Sequence, residues 1–560
     1  LSMVDISNNS ATDVGGGVFF QGVGASILRL EDCNVSGNES SQGGGVYTQS
    51  GSIMLGPGNT LFDNRADSGG GGVYINGGWM EVRGSDIGEV GHGNDPDADD
   101  NGFGAGGGIY NHGGDLLIFS SRVNGNAGSG VYSLGGNVQM TVSDAADNGW
   151  HGVEMSADGA AMSFEAHESL FRHNAMNGVY GENVDMLIVD SVFWENGAQG
   201  LRMEGGQLSF WRNTVRENRS NGMYLNLVSQ ADIKQTAIWG NTASGAGGGL
   251  LITGDPGGTY AFENVTIHGN SGTTGGGLEL QAGTANLNNV TVTQNTARGG
   301  DGGGIHSAGM VNFGNSIIED NPGGNCSGAL TSLGYNIDDS TTCPLYTLGD
   351  QTNTAVTLGP LQHNGGPTFT RAITFPGAAF DAGNDATCAA VDQRDVPRPQ
   401  AMHCDVGAFE LEARGKSESA TNTPTLEITP TPTPTPASIV FDPVEFDTDK
   451  VFQGGKTCSP MSLTVKVRVT PADLVHSLAL YFRVVGKDGT GASAWDGGLK
   501  MERLGNGWYQ LALSGNDLPK ITAGQAETWL DIQIVANDSN YLPIARSAVF
   551  RQVTLQRCFN

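Results

Sequence analysis

Residues 174–226 read NAMNGVYGENVDMLIVDSVFWENGAQGLRMEGGQLSFWRNTVRENRSNGMYLN, and the spacing inside this stretch decides the fold. A glycine precedes an apolar residue at Val179, Leu201 and Met223, so the mark returns every 22 residues. An asparagine keeps phase with it, five residues ahead, at Asn174, Asn196 and Asn218. Between the marks apolar and polar residues alternate, as in VDMLIVDSVFW. That is the two-residue period of a strand and not the 3.6-residue period of a helix.

Outward from this stretch the same anchor recurs at Val18, Val46, Val73, Ile109, Val131 and Val153, then at Leu250, Leu278 and Ile305. The twelve anchors are separated by 28, 27, 36, 22, 22, 26, 22, 22, 27, 28 and 27 residues. The asparagine mark continues at Asn9, Asn38, Asn64, Asn126, Asn148, Asn241, Asn270 and Asn295, eight to ten residues ahead of the anchor in the longer steps. The variable length therefore lies between the Asn and the Gly run, which is how one loop of a solenoid absorbs insertions while its strands hold register. The pattern predicts an all-β chain whose first 340 residues form a parallel β-helix. About twelve coils stacked ~4.8 Å apart would make a rod ~55–60 Å long. Stacked Asn side chains would bond amide to carbonyl along the axis, and Gly would supply the corners that need positive φ.

If each anchor points inward, the next residue points outward. Those residues are Phe19, Tyr47, Tyr74, Tyr110, Tyr132, Glu154, Tyr180, Arg202, Tyr224, Leu251, Glu279 and His306. Six of these positions are Tyr in a chain with 12 Tyr altogether, so the column is not chance. Phe19, Tyr47, Tyr74, Tyr110, Tyr132, Tyr180 and Tyr224 are the expected binding or assembly stripe, for lateral subunit contacts or sugar rings. The competing expectation is a ladder that stabilises its own sheet.

The longest step carries HGNDPDADDNG at 92 to 102. There Asp97, Asp99 and Asn101 before Gly102 match the front of a calcium loop, with Asp95 or Asp100 as helpers. Gly108 stands where a full loop of that kind needs Glu, so a partial Ca²⁺ site is weighed against a solvated acidic insertion.

Composition narrows the function classes. Glycine is 88 of 560 residues, charged residues are 15% and the formal net charge is −30. An acidic surface repels phosphate backbones, which argues against a nucleic-acid partner. No apolar run is long enough to span a membrane as a helix. Leu1 begins inside a repeat, so the N-terminus reads as processed or incomplete. Cysteines fall into pairs, Cys326 with Cys343, Cys388 with Cys404 and Cys458 with Cys558, leaving Cys33 over. That is the usage of an oxidising, extracytoplasmic compartment, and no pair has zinc-site spacing. Cys33 is expected either as a small buried hydrophobe or as an intermolecular bridge.

The repeat resembles the right-handed parallel β-helix repeats of bacterial surface proteins, especially those of polymorphic outer-membrane and autotransporter-like proteins. Residues 341–412 carry LGPLQ…NGGPT, DAG, DQR, RP and CDVGAFE in order. This is similar to the C-terminal cap of choice-of-anchor Q surface proteins, with Asp395 where that pattern has Gly. The resemblance implies a lid over the helix end, where a sheet edge is otherwise open. A Cys388–Cys404 bridge would staple it, worth about 3 kcal/mol.

Residues 413–436 end in TPTPTPTP, an extended spacer whose Thr residues are candidates for O-glycans. Residues 437–560 alternate strongly, as in SLTVKVRVT and TWLDIQIVA, and predict an immunoglobulin-like β-sandwich bracketed by Cys458 and Cys558. With no sorting signal after it, the sandwich is expected to stand where related families carry an anchor.

These readings point to an extracellular structural protein that self-assembles as a cell-surface, sheath or filament subunit. A monomeric carbohydrate-binding adhesin is the alternative, and a polysaccharide lyase or hydrolase the third. Catalysis is disfavoured because Glu154 and Arg202 sit on either side of the Tyr180 coil, ~9–10 Å apart by strand spacing. Glu168, Glu195 and Glu217 form no signature, and Lys234 is the lone lysine of the repeat region.

Overall fold

A computed structural model describes residues 1–412, except 23–25, 98–104, 160 and 363, and residues 439–558, except 454–457, 488–498, 515–526, 538–542 and 548–549. The chain divides into two compact units, Leu1–Leu411 and Glu412–Asn560. The expected spacer, 413–436, lies outside the described residues. Among the described residues the only helix is one 3₁₀ turn, Ala472–Leu474, and none is long and apolar enough to cross a membrane.

The first unit is a parallel β-helix of about twelve coils. Most coils contribute three strands, for example Val131–Leu134, Val138–Thr141 and Asp144–Ala146. The first two strands of all coils form one 24-stranded sheet, and the third strands stack in a 15-stranded sheet. The anchors pair directly from Val18 through Val73 to Ile305. From Val46 to Ile305 they are fully buried. The 36-residue step is absorbed between Ile87 and Ile109, and the strands on either side stay in register. The interior also holds Phe164, Phe171, Phe193 and Phe210 in successive ring contacts, edge-on, stacked and tilted in turn, with centroids 4.9–6.1 Å apart.

The asparagine marks form a continuous ladder. Side-chain amides bond in sequence through Asn9, Asn38, Asn64, Asn94, Asn126, Asn148 and Asn174. The run goes on through Asn196, Asn218, Asn241, Asn270, Asn295, Asn321 and Asn325. Asn94 supplies the rung of the long coil, and Asn321 and Asn325 extend the ladder past the last anchor. From Asn38 onward each amide is buried, so an unbonded one would carry its full desolvation cost. In the GGGV coils the first Gly takes positive φ. At Gly43, φ is +63° and a Cβ would lie 2.6 Å from the Val46 carbonyl oxygen.

A second ladder runs along another corner. Backbone N–H groups of Ser85, Ser121, Ser143 and Ser169 each donate to the serine hydroxyl of the next coil at 3.1–3.3 Å. Cys33 occupies a rung of this ladder: its N–H donates to Asn59 Oδ1, its thiol to the Glu31 carbonyl, and it is 1% exposed. A thiol so enclosed is not placed to bridge to another chain.

Residues from Pro344 to Leu411 return along the flank of the helix. Asn264, Asn289 and Asn315 bond Val391, Ala389 and Asn384. Thr368 reaches back to the Gln235 carbonyl. Ile317, Ile337, Val356, Ile373, Val406 and Phe409 form a small separate core between the two layers. The segment is fastened by two buried ion pairs, Arg394–Asp392 and Arg398–Glu410, both 2.8 Å. Its bonds thus run up the side of the coils, whereas a simple lid would meet only the last one. Cys326–Cys343 and Cys388–Cys404 are both bonded.

The second unit has the sheets of a β-sandwich. One sheet holds Val440–Phe446, Ser462–Thr470, Trp508–Ser514 and Glu502–Gly505; the other is built around Ser477–Gly486, Glu527–Asn537 and Phe550–Arg557. Val465, Val467, Leu480, Phe482, Leu530 and Ile532 fill the space between them. The Cys458–Cys558 disulfide joins its ends.

Candidate functional site

Two outward columns of the β-helix carry chemistry. The first follows the anchors, in register from Phe19 through Tyr47, Tyr74, Tyr110, Tyr132, Glu154, Tyr180, Arg202 and Tyr224 to His306. Coil stacking brings the rings to van der Waals distance. Centroids are 6.0 Å apart for Phe19–Tyr47, 5.1 Å for Tyr47–Tyr74, 4.5 Å for Tyr74–Tyr110 and 5.0 Å for Tyr110–Tyr132. Tyr47 and Tyr74 are only 6% and 8% exposed, whereas Phe19 at the end of the row is 48% exposed. Burial pushes the Tyr132 hydroxyl up to about 12 and raises Tyr74 and Tyr110 as well. The ring faces therefore lie against one another, and what the column presents outward is ring edges.

Further along, the column turns polar without opening. Glu154 lies between Tyr132 and Tyr180, accepts the Ser129 hydroxyl at 2.6 Å, and is raised by burial. Arg202 sits over both Tyr180 and Tyr224, at 5.6 and 5.2 Å, and pairs with Glu204 at 2.6 Å. His151 stacks on Tyr180 and accepts the Asn177 N–H; burial first, and Arg202 second, pull it down to about 4. The three turn carboxylates are spread over separate places. Glu195 faces His173 at 3.1 Å, Glu217 pairs with Arg216, and Glu168 stands before the serine ladder.

The residues of the calcium expectation are only partly described. Asp95 faces Arg65 at 3.7 Å and accepts the Asp97 backbone N–H at 3.1 Å. Asp99, Asp100 and Asn101 lie outside the described residues.

The second column escaped sequence reading. The last residues of successive third strands align as Arg172, Trp194, Arg216, Trp239, His268, Thr293 and Glu319. Arg216 lies over both Trp194 and Trp239, at 4.0 and 5.3 Å. Where the returning segment crosses this column it encloses a cleft of about 480 Å³, lined by Trp239, His268, Gln294, Pro360, Leu361, Phe369 and Arg371. Phe369 meets Trp239 edge-on at 6.0 Å. Arg371 is held by Gly359 and Leu358 carbonyls and by Thr293 Oγ1. Burial, then Arg371, lowers His268 to about 4, so its ring is neutral in ordinary buffers. Burial lifts Glu319, which accepts the Val356 N–H, to about 7. The register VFW, TVR, AIW, TIH was in the sequence as a signal, but the Phe369 and Arg371 wall has no periodic mark.

Coil stacking, inward anchors and the Asn ladder define a right-handed parallel β-helix protein. The chain belongs to the family described as right handed beta helix region, which it matches over residues 16–180 and 157–341. None of the curated proteins matches it in sequence. Among solved structures it is similar to the periplasmic alginate epimerase AlgG, at 11% identity and a TM-score of 0.36, over 59% of this chain and 84% of that one. A mutant of the same epimerase aligns at 11% identity and a TM-score of 0.18, over 59% and 85% of the two chains.

Proposed function

We propose that this protein is an extracellular structural component, a stiff subunit of a cell-surface, sheath or filament layer. One observation carries the reading: both the interior and the first outward column are closed by contacts repeated from coil to coil. The Asn ladder satisfies the corner amides without a break. Tyr47, Tyr74, Tyr110 and Tyr132 pack ring against ring, and Arg202 lies over Tyr180 and Tyr224. Such a column adds stiffness along the axis and keeps ring edges for lateral contacts. Bonded cysteines in both units suit an oxidising compartment outside the cytoplasm. The paired or scattered carboxylates of the first column favour this reading over polysaccharide cleavage, which needs convergent acids.

Electron microscopy of the purified full chain, and of the envelope it comes from, tests the proposal. Ordered fibres or a layer in both samples are expected. Dispersed particles at every concentration, together with new reducing or unsaturated ends released from acidic polysaccharides, would overturn it.

A further inference from the structure

The cleft between the second column and the returning segment lies outside the tyrosine column. We propose that it is a saccharide-binding site that seats one pyranose unit of a neutral glycan, with Trp239 and Phe369 as its apolar walls. The inference does not depend on self-assembly and holds whether the protein forms fibres or acts singly.

Size comes first. A volume of about 480 Å³ falls within the range of small-molecule sites and admits one sugar ring with its substituents. The lining has the mixture such a ring requires. Trp239, Phe369, Pro360 and Leu361 offer apolar surface for the C–H face of a pyranose. His268, Gln294 and Arg371 offer planar nitrogen and amide groups for its hydroxyls.

Two polar atoms of the wall lack partners: Trp239 Nε1 and His268 Nδ1 are buried with no hydrogen bond. Trp194 and Trp211 also carry unbonded indole N–H groups, outside the cleft, so it is the place of Trp239 and His268 on its wall together with the missing bond that points these two atoms at a ligand hydroxyl. A hydroxyl is donor and acceptor at once and would serve both the indole N–H and an unprotonated ring nitrogen. Arg371 uses three of its N–H groups on Gly359, Leu358 and Thr293. Two more remain from the five of a guanidinium.

Charge selects the neutral class. Among the described residues no carboxylate lines the cleft, and its one cation, Arg371, interacts with the charges of Glu319 and Asp320. The surrounding chain carries a formal net charge of −30, which opposes a uronate polymer.

The full chain is titrated by calorimetry with cello-, xylo- and manno-oligosaccharides, with oligogalacturonate as the charged comparison. Saturation-transfer NMR on the unmodified protein reads the same contacts without substitution. We expect at least one neutral oligosaccharide to bind, and Trp239→Ala and Phe369→Ala each to weaken it by about tenfold or more. Tyr224→Ser, on the other column, should leave binding unchanged. Should Trp239→Ala fail to fold, the Phe369 variant and the NMR contacts decide. Binding of oligogalacturonate alone, no transfer from any neutral sugar at millimolar concentration, or affinity indifferent to a folded cleft variant would each overturn the proposal.

Discussion

Replacing Asn174 by Ala removes one rung from the middle of the buried ladder. Its Oδ1 accepts the Asn148 backbone N–H at 3.2 Å and the Asn148 side-chain amide at 3.0 Å. Its Nδ2 donates to Asn196 Oδ1 and to the Ala145 carbonyl, both at 3.0 Å. The variant therefore strands two donors at Asn148 and thins the supply to two acceptors, all out of reach of solvent. Each orphaned donor costs about 1–3 kcal/mol. Some of this is recovered by relaxation, so the expected loss is ~3–5 kcal/mol, centred on the coils that bracket residue 174. In a solenoid such damage is local, because each coil contacts only its neighbours. Native-state hydrogen exchange read by mass spectrometry is the suitable assay, with peptides of the second unit as internal reference. Protection between residues 140 and 200 should fall by that amount while the reference stays put. A loss below ~0.5 kcal/mol would show that the ladder contributes nothing beyond the strands, and the reasoning would fail.

Four further outcomes are expected. Tyr74→Ser loses two stacked neighbours and a buried ring, so urea unfolding of the first unit should show a destabilisation of ~2–4 kcal/mol; an unchanged midpoint would mean the column is surface decoration. Cys33→Ser should be close to neutral in the same assay, because serine already fills this rung at Ser85, Ser121 and Ser143. The Glu319 carboxyl is raised to about 7 in the folded chain, so the native state binds the proton more tightly than the unfolded one. Stability should then fall as pH rises from about 4.5 to about 7, and Glu319→Gln should make that slope shallower in denaturation curves taken across the range, Asp405, which burial also raises to about 7, supplying part of the remainder. Reduction should destabilise the second unit by about 4–5 kcal/mol, because Cys458–Cys558 closes a 100-residue separation; a melting temperature indifferent to reductant would contradict it.

Much of the first unit was legible as sequence because a solenoid repeats one local problem many times. The anchors Val46 to Ile305 could be read singly, and stacking then forced them into one buried row. Asn94 was missed as a rung because the long insertion around it broke the spacing, although its bonds to Asn64 and Asn126 are ordinary for the ladder. The tyrosine row was legible as outward-pointing, but not its near closure. Exposure depends on what lies beside a ring, and rings one coil apart in register must meet face to face.

Repetition alone determined the β-helix, its register, its polar corner and the outward place of Phe19 to Tyr224. Every one of those features follows from period and side-chain direction, which are local properties. Only the tertiary structure decided that the segment after Pro344 climbs the flank of the coils, that Cys33 stands in for a serine, and that Trp239 faces Phe369 across a cleft. The contacts of Thr368 with Gln235 and of Phe369 with Trp239 join residues 133 and 130 positions apart, and no period links their two sides; the chain had to return on itself before they existed.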